Sequence, residues 1–171
     1  YLLTISAVLP VMGRLADMLG RKRVYLNGFL LVMVGSVICA QAPNLPLLLL
    51  ARVIQALGAA MPMANGMAIV TTSFPTTERG QALGIVGTMV ALGSLLGPTI
   101  GGLIVQALSW EWIFYVNIPL GLVVYFAGRH LLPADRPRPG QHLEFDFVGA
   151  LLFSTAMVTL LAAPAMANVF T

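Results

Sequence analysis

The chain has 171 residues, is 58% hydrophobic and only 9% charged, and carries a formal net charge of +3. Its mean hydropathy is +0.91. So few ionic groups cannot cover a water-soluble domain, and the basic residues lie between apolar runs rather than on the continuous basic face that nucleic-acid binding requires. The composition points to an all-α membrane protein, a polytopic transmembrane helix bundle.

In chain order, the first apolar run covers Tyr1 to about Gly13. It is shorter than the roughly 20 residues of a bilayer crossing. It has no Met or basic segment before it, so it reads as the cut end of a span and not as a signal peptide. The chain is therefore expected to be a piece of a longer one. Gly13 to Arg23 follows as a predicted short charged loop holding four of the nine Lys and Arg residues and one of the six acids. Its glycines, Gly13 and Gly20, allow a tight turn or a close approach. Asp17, about one helical turn before Arg21 and Lys22, is placed to bond a helix N-terminus or a basic partner. Two readings stand here: a topology signal, since basic connections mark the cytoplasmic side, or a functional element.

The pattern Gly-x-Leu-Ala-Asp-x-x-Gly-Arg-Lys resembles the segment between the second and third spans of the major facilitator superfamily, with types and spacing agreeing over ten positions. The resemblance implies a conformational switch at Gly13, Asp17, Gly20, Arg21 and Lys22. Many members carry a basic residue where this chain has Met18.

The second span is predicted from about Val24 to Gln41, with Cys39 as a small buried hydrophobe and no disulfide framework. Ala42 to Pro46 forms an uncharged turn, and the third span runs from about Leu47 to Thr72. Arg52 lies roughly 9 Å inside it, where a cation costs on the order of 3 kcal/mol. One reading is snorkelling to the outer interface. The other follows its helical face, where Gln55, Ala59, Met63 and Gly66 recur at three- and four-residue spacing and suggest a packed or water-lined side. Arg52 to Gly58 also resembles the superfamily's fourth-span motif, with Ala56 where the family has Gly. That resemblance implies proton coupling through Arg52 and Gln55. Met61, Met63 and Met67 read either as gap-filling packing or as a soft wall for varied lipophilic substrates, with Met63 and Met67 the candidate substrate contacts.

Phe74 to Arg79 is the next connection, and the fourth span runs from about Gln81 to Leu108. Gly93, Gly97 and Gly101 recur every four residues and predict a bare stripe against which another helix packs. Pro98 removes the bond to the Ser94 carbonyl and predicts a bend. Close packing with an incidental kink accounts for both features. Gly-x-x-x-Gly-Pro-x-x-Gly-Gly, ending at Gly101 and Gly102, is however similar to the fifth-span motif of the superfamily's antiporters. Ser109 to Trp112 is a tight turn with interfacial Trp residues, and Glu111 is expected to cap the helix after it. The fifth span covers about Ile113 to Leu131, and the last run about Phe147 to Ala163, with Pro164 beyond.

The six runs alternate in direction. Basic connections follow the first, third and fifth runs, and no Lys or Arg occurs in the other two, as a polytopic helical protein requires. Residues 1–132 are predicted to form a partial N-terminal bundle, 133–144 a cytoplasmic linker with Arg136 and Arg138, and 145–171 an additional span. By the motif order the runs match spans two to seven. The short linker and the opening Glu144-Phe145-Asp146-Phe147-Val148-Gly149 resemble the fourteen-span drug:proton antiporter branch (EmrB/QacA type). That branch carries a functional Asp motif in its first span, which this chain lacks.

The resemblance implies a secondary active transporter of the cell (inner or plasma) membrane, a multi-pass protein lying in the lipid bilayer. It would export small lipophilic or cationic substrates against protons by alternating access, with the rest of the transporter chain needed for function. The alternatives are a metabolite symporter or facilitator of the same superfamily, or an inactive truncated membrane segment. No cofactor is expected, the proton gradient being the energy source. No metal site or enzyme is expected either: His130 and His142 have no ligand partners at metal spacing, and no nucleophile elbow or phosphate-binding loop occurs. No nucleic-acid partner is expected.

Overall fold

The computed structural model describes residues 1–135 and 146–167. They form α1 (Leu2–Leu19), α2 (Arg21–Ala40), α3 (Leu45–Ser73), α4 (Arg79–Ala107), α5 (Trp112–Tyr115), α6 (Asn117–Leu131) and α7 (Phe147–Ala167). Five segments are long and apolar enough to cross a membrane: α1, α2, α3, α4 and Trp112–Leu131, which joins α5 to α6. Within α7 lies a shorter apolar helix, Val148–Leu161. Each of the six runs is thus helical, the fifth in two pieces, in a helical bundle with no strand among the described residues.

Three boundaries differ from expectation. The charged stretch is not a loop: α1 continues through Asp17 to Leu19, α2 starts at Arg21, and Gly20 alone separates them. Leu15, Ala16, Met18 and Leu19 are strong helix formers, and charged side chains reach outward from helix ends without a loop to carry them. The fifth run pauses at Val116, because Pro119 cannot donate to the Tyr115 carbonyl and is tolerated only in the first turn of a new helix. α7 runs through Pro164 to Ala167, one lost backbone bond being tolerable in a membrane helix. Residues 136–145 of the linker, with Arg136, Arg138, His142 and Glu144, lie outside the described residues.

Helix ends are built by short-range chemistry. Asn44 Oδ1 accepts from Leu47 N at 3.0 Å and caps α3, with Pro46 in its first turn. Asp146 Oδ1 accepts from Gly149 N at 2.8 Å at the start of α7. Glu111 makes no such bond to α5, contrary to expectation. Its carboxyl is held below the usual carboxylate range chiefly by a hydrogen bond from Ser109, and then by one from its own backbone. A side chain engaged with Ser109 is not free to reach the orphan N–H groups of the following turn.

α2 is the central helix. It packs most extensively on α3 and also meets α1, α5 and α6. The α2–α3 contact is close because glycines face backbone. A Cβ on Gly58 would lie 2.6 Å from Val32 N and 2.9 Å from Gly28 O. One on Gly28 would lie 2.8 Å from Gly58 O, and one on Gly35 would lie 2.8 Å from Gln55 N. Pro62 contributes as well: it leaves the Gly58 carbonyl without its in-helix donor, and that oxygen turns toward Gly28. Cys39 is fully buried with Ala40, Ala51 and Phe114, and a second cluster joins Ile5 of α1 to Ala56 and Ala60 of α3.

The expected stripe on α4 is not packed in this chain. α4 runs unbroken through Pro98, has no buried residue, and leaves open space within 4 Å of a Cβ at Gly93, Gly97, Gly101 or Gly102. Small residues every four positions make a helix capable of close approach, but only a neighbour at that height uses it. In this bundle the neighbour is found by Gly28, Gly35 and Gly58 instead.

Gly58→Val is therefore expected to destabilise the chain by about 1–3 kcal/mol or more through overpacking, while Gly97→Val leaves it unchanged. Thermal unfolding of both variants of the 171-residue chain in the same detergent checks this. Equal losses would show that α4, not the α2–α3 contact, carries the close packing.

Candidate functional site

The predicted residues form two clusters at opposite ends of the bundle. At the basic end, Arg21 lies one turn beyond Asp17 across the Gly20 break. Arg21 Nη2 and Nε donate to Asp17 Oδ1 at 2.9 and 3.1 Å. Arg21 Nη1 donates to the Ala68 carbonyl of α3 at 3.3 Å. The carboxylate thus takes a basic partner, one of the two outcomes its position allowed. It also orients a guanidinium that ties the α1–α2 junction to α3. Both side chains are roughly a third exposed or less, 33% and 26%, so the pair alone contributes little, about 0–1 kcal/mol. Its value is directional.

Gly20 has φ 103°, in the left-handed region that side chains avoid. Lys22 Nζ donates to the carbonyls of Arg129 and Leu132 at 2.8 and 2.6 Å, which places a cation on the C-terminal end of α6. Gly13 is an ordinary helical residue with nothing within 4 Å of a Cβ.

At the other end, Arg52 and Gln55 come together as their spacing predicts. Arg52 Nη1 donates to Gln55 Oε1 at 3.0 Å. The guanidinium also lies over the Tyr1 and Phe114 rings, 4.8 and 5.4 Å from their centroids. A bond to a charged donor contributes about 1.5–3 kcal/mol, and each ring about 0.5–2 kcal/mol. Together they offset a desolvation cost of order 3 kcal/mol. Arg52 is thus held by Gln55 and by two aromatic rings.

Gln55 passes the contact on. A guanidinium only donates, so the amide must turn its oxygen to Arg52 and its nitrogen away. Gln55 Nε2 donates to Ser36 Oγ of α2 at 2.7 Å, and Asn117 Nδ2 of α6 donates to the same oxygen at 3.3 Å. Ser36 is fully buried and Gln55 is 3% exposed. The chain Arg52–Gln55–Ser36–Asn117 spans three helices. Sequence reasoning missed Ser36 and Asn117. Their only signal was polarity within an apolar run, which Thr and Ser residues share throughout the chain.

The face expected to continue from Gln55 is packed as far as Ala59, which lies against the Ile5 cluster. Met63 and Met67 are 61% and 53% exposed, whereas Met61 fills space beside Gly28. Among the described residues no group of His, Cys, Asp and Glu is arranged to hold a metal ion.

Apolar helices of membrane-crossing length, charges gathered at helix ends, and a polar chain buried between three helices define a polytopic helical membrane protein. The family model of the Major Facilitator Superfamily matches residues 1–171, and the chain belongs to that superfamily. It is a multi-pass protein of the cell membrane, in a family of transporters and not enzymes. The chain is 39% identical to the riboflavin transporter RibZ of Clostridioides difficile (strain 630), over 95% of this chain and 36% of that protein. It is 36% identical to the multidrug transporter protein MdtP of Bacillus subtilis (strain 168), over 95% of this chain and 30% of that protein. It is 35% identical to a multidrug resistance protein B homolog of Mycobacterium tuberculosis, over 94% of this chain and 29% of that protein. The chain spans about a third of the length of these relatives.

Ser36→Ala removes the acceptor shared by Gln55 and Asn117 and leaves two amides unpaired. It should cost about 1–3 kcal/mol. The same substitution in a Gln55→Leu background should cost distinctly less, because groups in one network are not additive. Thermal unfolding in detergent measures both, and additive losses would mean that the three groups do not act together.

Proposed function

We propose that this chain forms part of a proton-coupled efflux antiporter that exports small lipophilic or cationic compounds by alternating access, in concert with further transporter segments. The observation that carries this reading is the fixed charge of Arg52. A guanidinium held by Gln55 and two rings inside an apolar bundle is a stationary positive potential. It lowers the pKa of a carboxylate brought near it and releases that carboxylate's proton. When the carboxylate moves away into an apolar surround, its pKa rises and it binds a proton. Alternation between two such arrangements couples proton passage to helix movement.

The Asp17–Arg21 pair, Gly20 and Lys22 are assigned to the switch that favours one of the two states. The Gly93, Gly97, Pro98, Gly101 and Gly102 face, uncovered here, is assigned to the surface that meets the other half of the transporter. Met63 and Met67, exposed and polarisable, are assigned to a soft substrate wall. Residues 1–132 act as the moving bundle, 133–144 as the connection, and 145–171 as an added span. Two relatives named as multidrug proteins support the substrate class.

A second reading rests on the relative named as a riboflavin transporter, at 39% identity. In it the same helices carry a metabolite. An imposed proton gradient separates the two in vesicles: antiport moves cationic dyes against the proton flux, whereas a metabolite carrier leaves them behind and moves flavins.

Arg52→Lys in a full-length transporter carrying this segment keeps the charge and loses the planar fork. Export should fall about tenfold, the factor for losing roughly 1.4 kcal/mol of a charged hydrogen bond, while substrate binding stays within about twofold. Wild-type export by the Lys variant across about pH 6–8, where coupling would show, would remove Arg52 from the mechanism.

A further inference from the structure

The start of α2 lacks a cap of its own. Gly20 precedes it and has no side chain, yet the first-turn N–H groups need acceptors. The acceptor arrives from the segment that follows α6. Asp135, four residues beyond the end of α6, accepts from Lys22 N at 2.8 Å through Oδ1 and from Arg23 N at 3.1 Å through Oδ2. These are the second and third residues of α2, the N–H groups that an ordinary capping side chain would take. A Cβ on Gly20 would collide with the Asp135 carboxylate, so Gly20 supplies both the left-handed turn and the room for this carboxylate.

The contact is reciprocal. While Asp135 places an anion on the N-terminal end of α2, Lys22 of α2 places its ammonium on the C-terminal carbonyls of α6. Each charge has the sign that the opposing helix dipole favours. Two helix ends 107 to 113 residues apart in sequence are therefore joined by four hydrogen bonds.

We propose that Asp135 is a positioning residue for the switch: it caps α2 from outside and, with Lys22, clamps the α1–α2 junction to the end of α6. The inference rests on reading Gly13 to Lys22 as a switch. It adds that the switch is anchored to α6 at the point where the chain departs toward α7. The first turn of α2, which carries Arg21, cannot then reorient without releasing α6.

The test uses a full-length transporter carrying this segment, with Cys39 replaced by Ala and spin labels on cysteines at the exposed positions 23 and 131. Pulsed electron spin resonance gives the distance between the helix ends. A single narrow distance is expected in the parent. Asp135→Ala should broaden it and lower transport about 5- to 30-fold, the equilibrium factor for a lost cap. Asp135→Asn should keep most of both, because Asn caps about as well as Asp. An Asn variant as impaired as the Ala variant would overturn the capping role. An unchanged distance in Asp135→Ala would overturn the clamp, and a broadened distance with parental transport would overturn its link to the switch. Should Asp135→Ala fail to accumulate in the membrane, Lys22→Met opens the clamp from the other side and carries the same outcomes. Asp17→Asn serves as the separate control: parental transport there would overturn the switch reading while leaving the distance result to decide the clamp.

Discussion

The backbone contact between α2 and α3 is the constraint on which the rest of the bundle depends. Gly35 lies against the backbone of Gln55, with no room for a Cβ, and that approach brings the next residue, Ser36, within 2.7 Å of the Gln55 amide. Further along, Gly28 and Gly58 meet at similar closeness. Between membrane helices there is no gain from moving apolar surface out of lipid, so association relies on packing and on hydrogen bonds. Close approach supplies the first and makes the second geometrically possible. A side chain at any of the three glycines would separate α2 from α3 and stretch the polar chain in the same movement.

That polar chain obeys a simple rule of donors and acceptors. Arg52 only donates, Gln55 does both, and Ser36 accepts from both Gln55 and Asn117. The Arg52–Gln55–Ser36 order cannot be reversed without facing two donors against each other. The network therefore specifies one arrangement of α2, α3 and α6 more sharply than apolar packing, which tolerates sliding. The aromatic contacts act in the same direction. Tyr1 and Phe114 bring the ends of α1 and α5 to the Arg52 guanidinium, so one cation organises the packing of helices far apart in sequence.

Much of this was legible in the residues, because much of it is local. The six apolar runs and the Arg52–Gln55 pair follow from spacing along a single helix, whereas spacing left Asp17 either a helix N-terminus or a basic partner and the structure pairs it with Arg21 across Gly20. What spacing could not supply is the identity of partners on other helices. Gly93, Gly97 and Gly101 have a more regular period than Gly28, Gly35 and Gly58, yet only the latter face a neighbour in this chain. Asp135 shows the same limit. Nothing in a Pro-Ala-Asp sequence after a helix says that its carboxylate caps a helix that began 114 residues earlier. The charged stretch was misread as a loop for a related reason: charge density is a property of composition, whereas a helix ends where its bonding ends, and here that required only Gly20.

The two clusters lie at opposite ends of one helix. Arg21 and Lys22 open α2, and Ser36 lies four residues before its end. The separation is about 22 Å at 1.5 Å per residue. α2 has no internal proline and is gripped along its length by α3, so it transmits tilt and axial shift instead of absorbing them in a kink. A tilt of α2 that lengthens the Lys22 bonds to α6 by an ångström shifts Ser36 relative to Gln55 or Asn117 as well. Hydrogen bonds weaken steeply over such a distance, so the ends cannot change independently. α6 closes the circuit: Arg129 in its last turn accepts from Lys22, and its first residue, Asn117, donates to Ser36. α2 and α6 are thus tied at both ends, by charge at one and by an amide–hydroxyl bond at the other. A pair of rods fastened twice moves as a single body. That rigidity couples the Arg21–Lys22 end of α2 mechanically to the end that carries Ser36 and, through Gln55, Arg52.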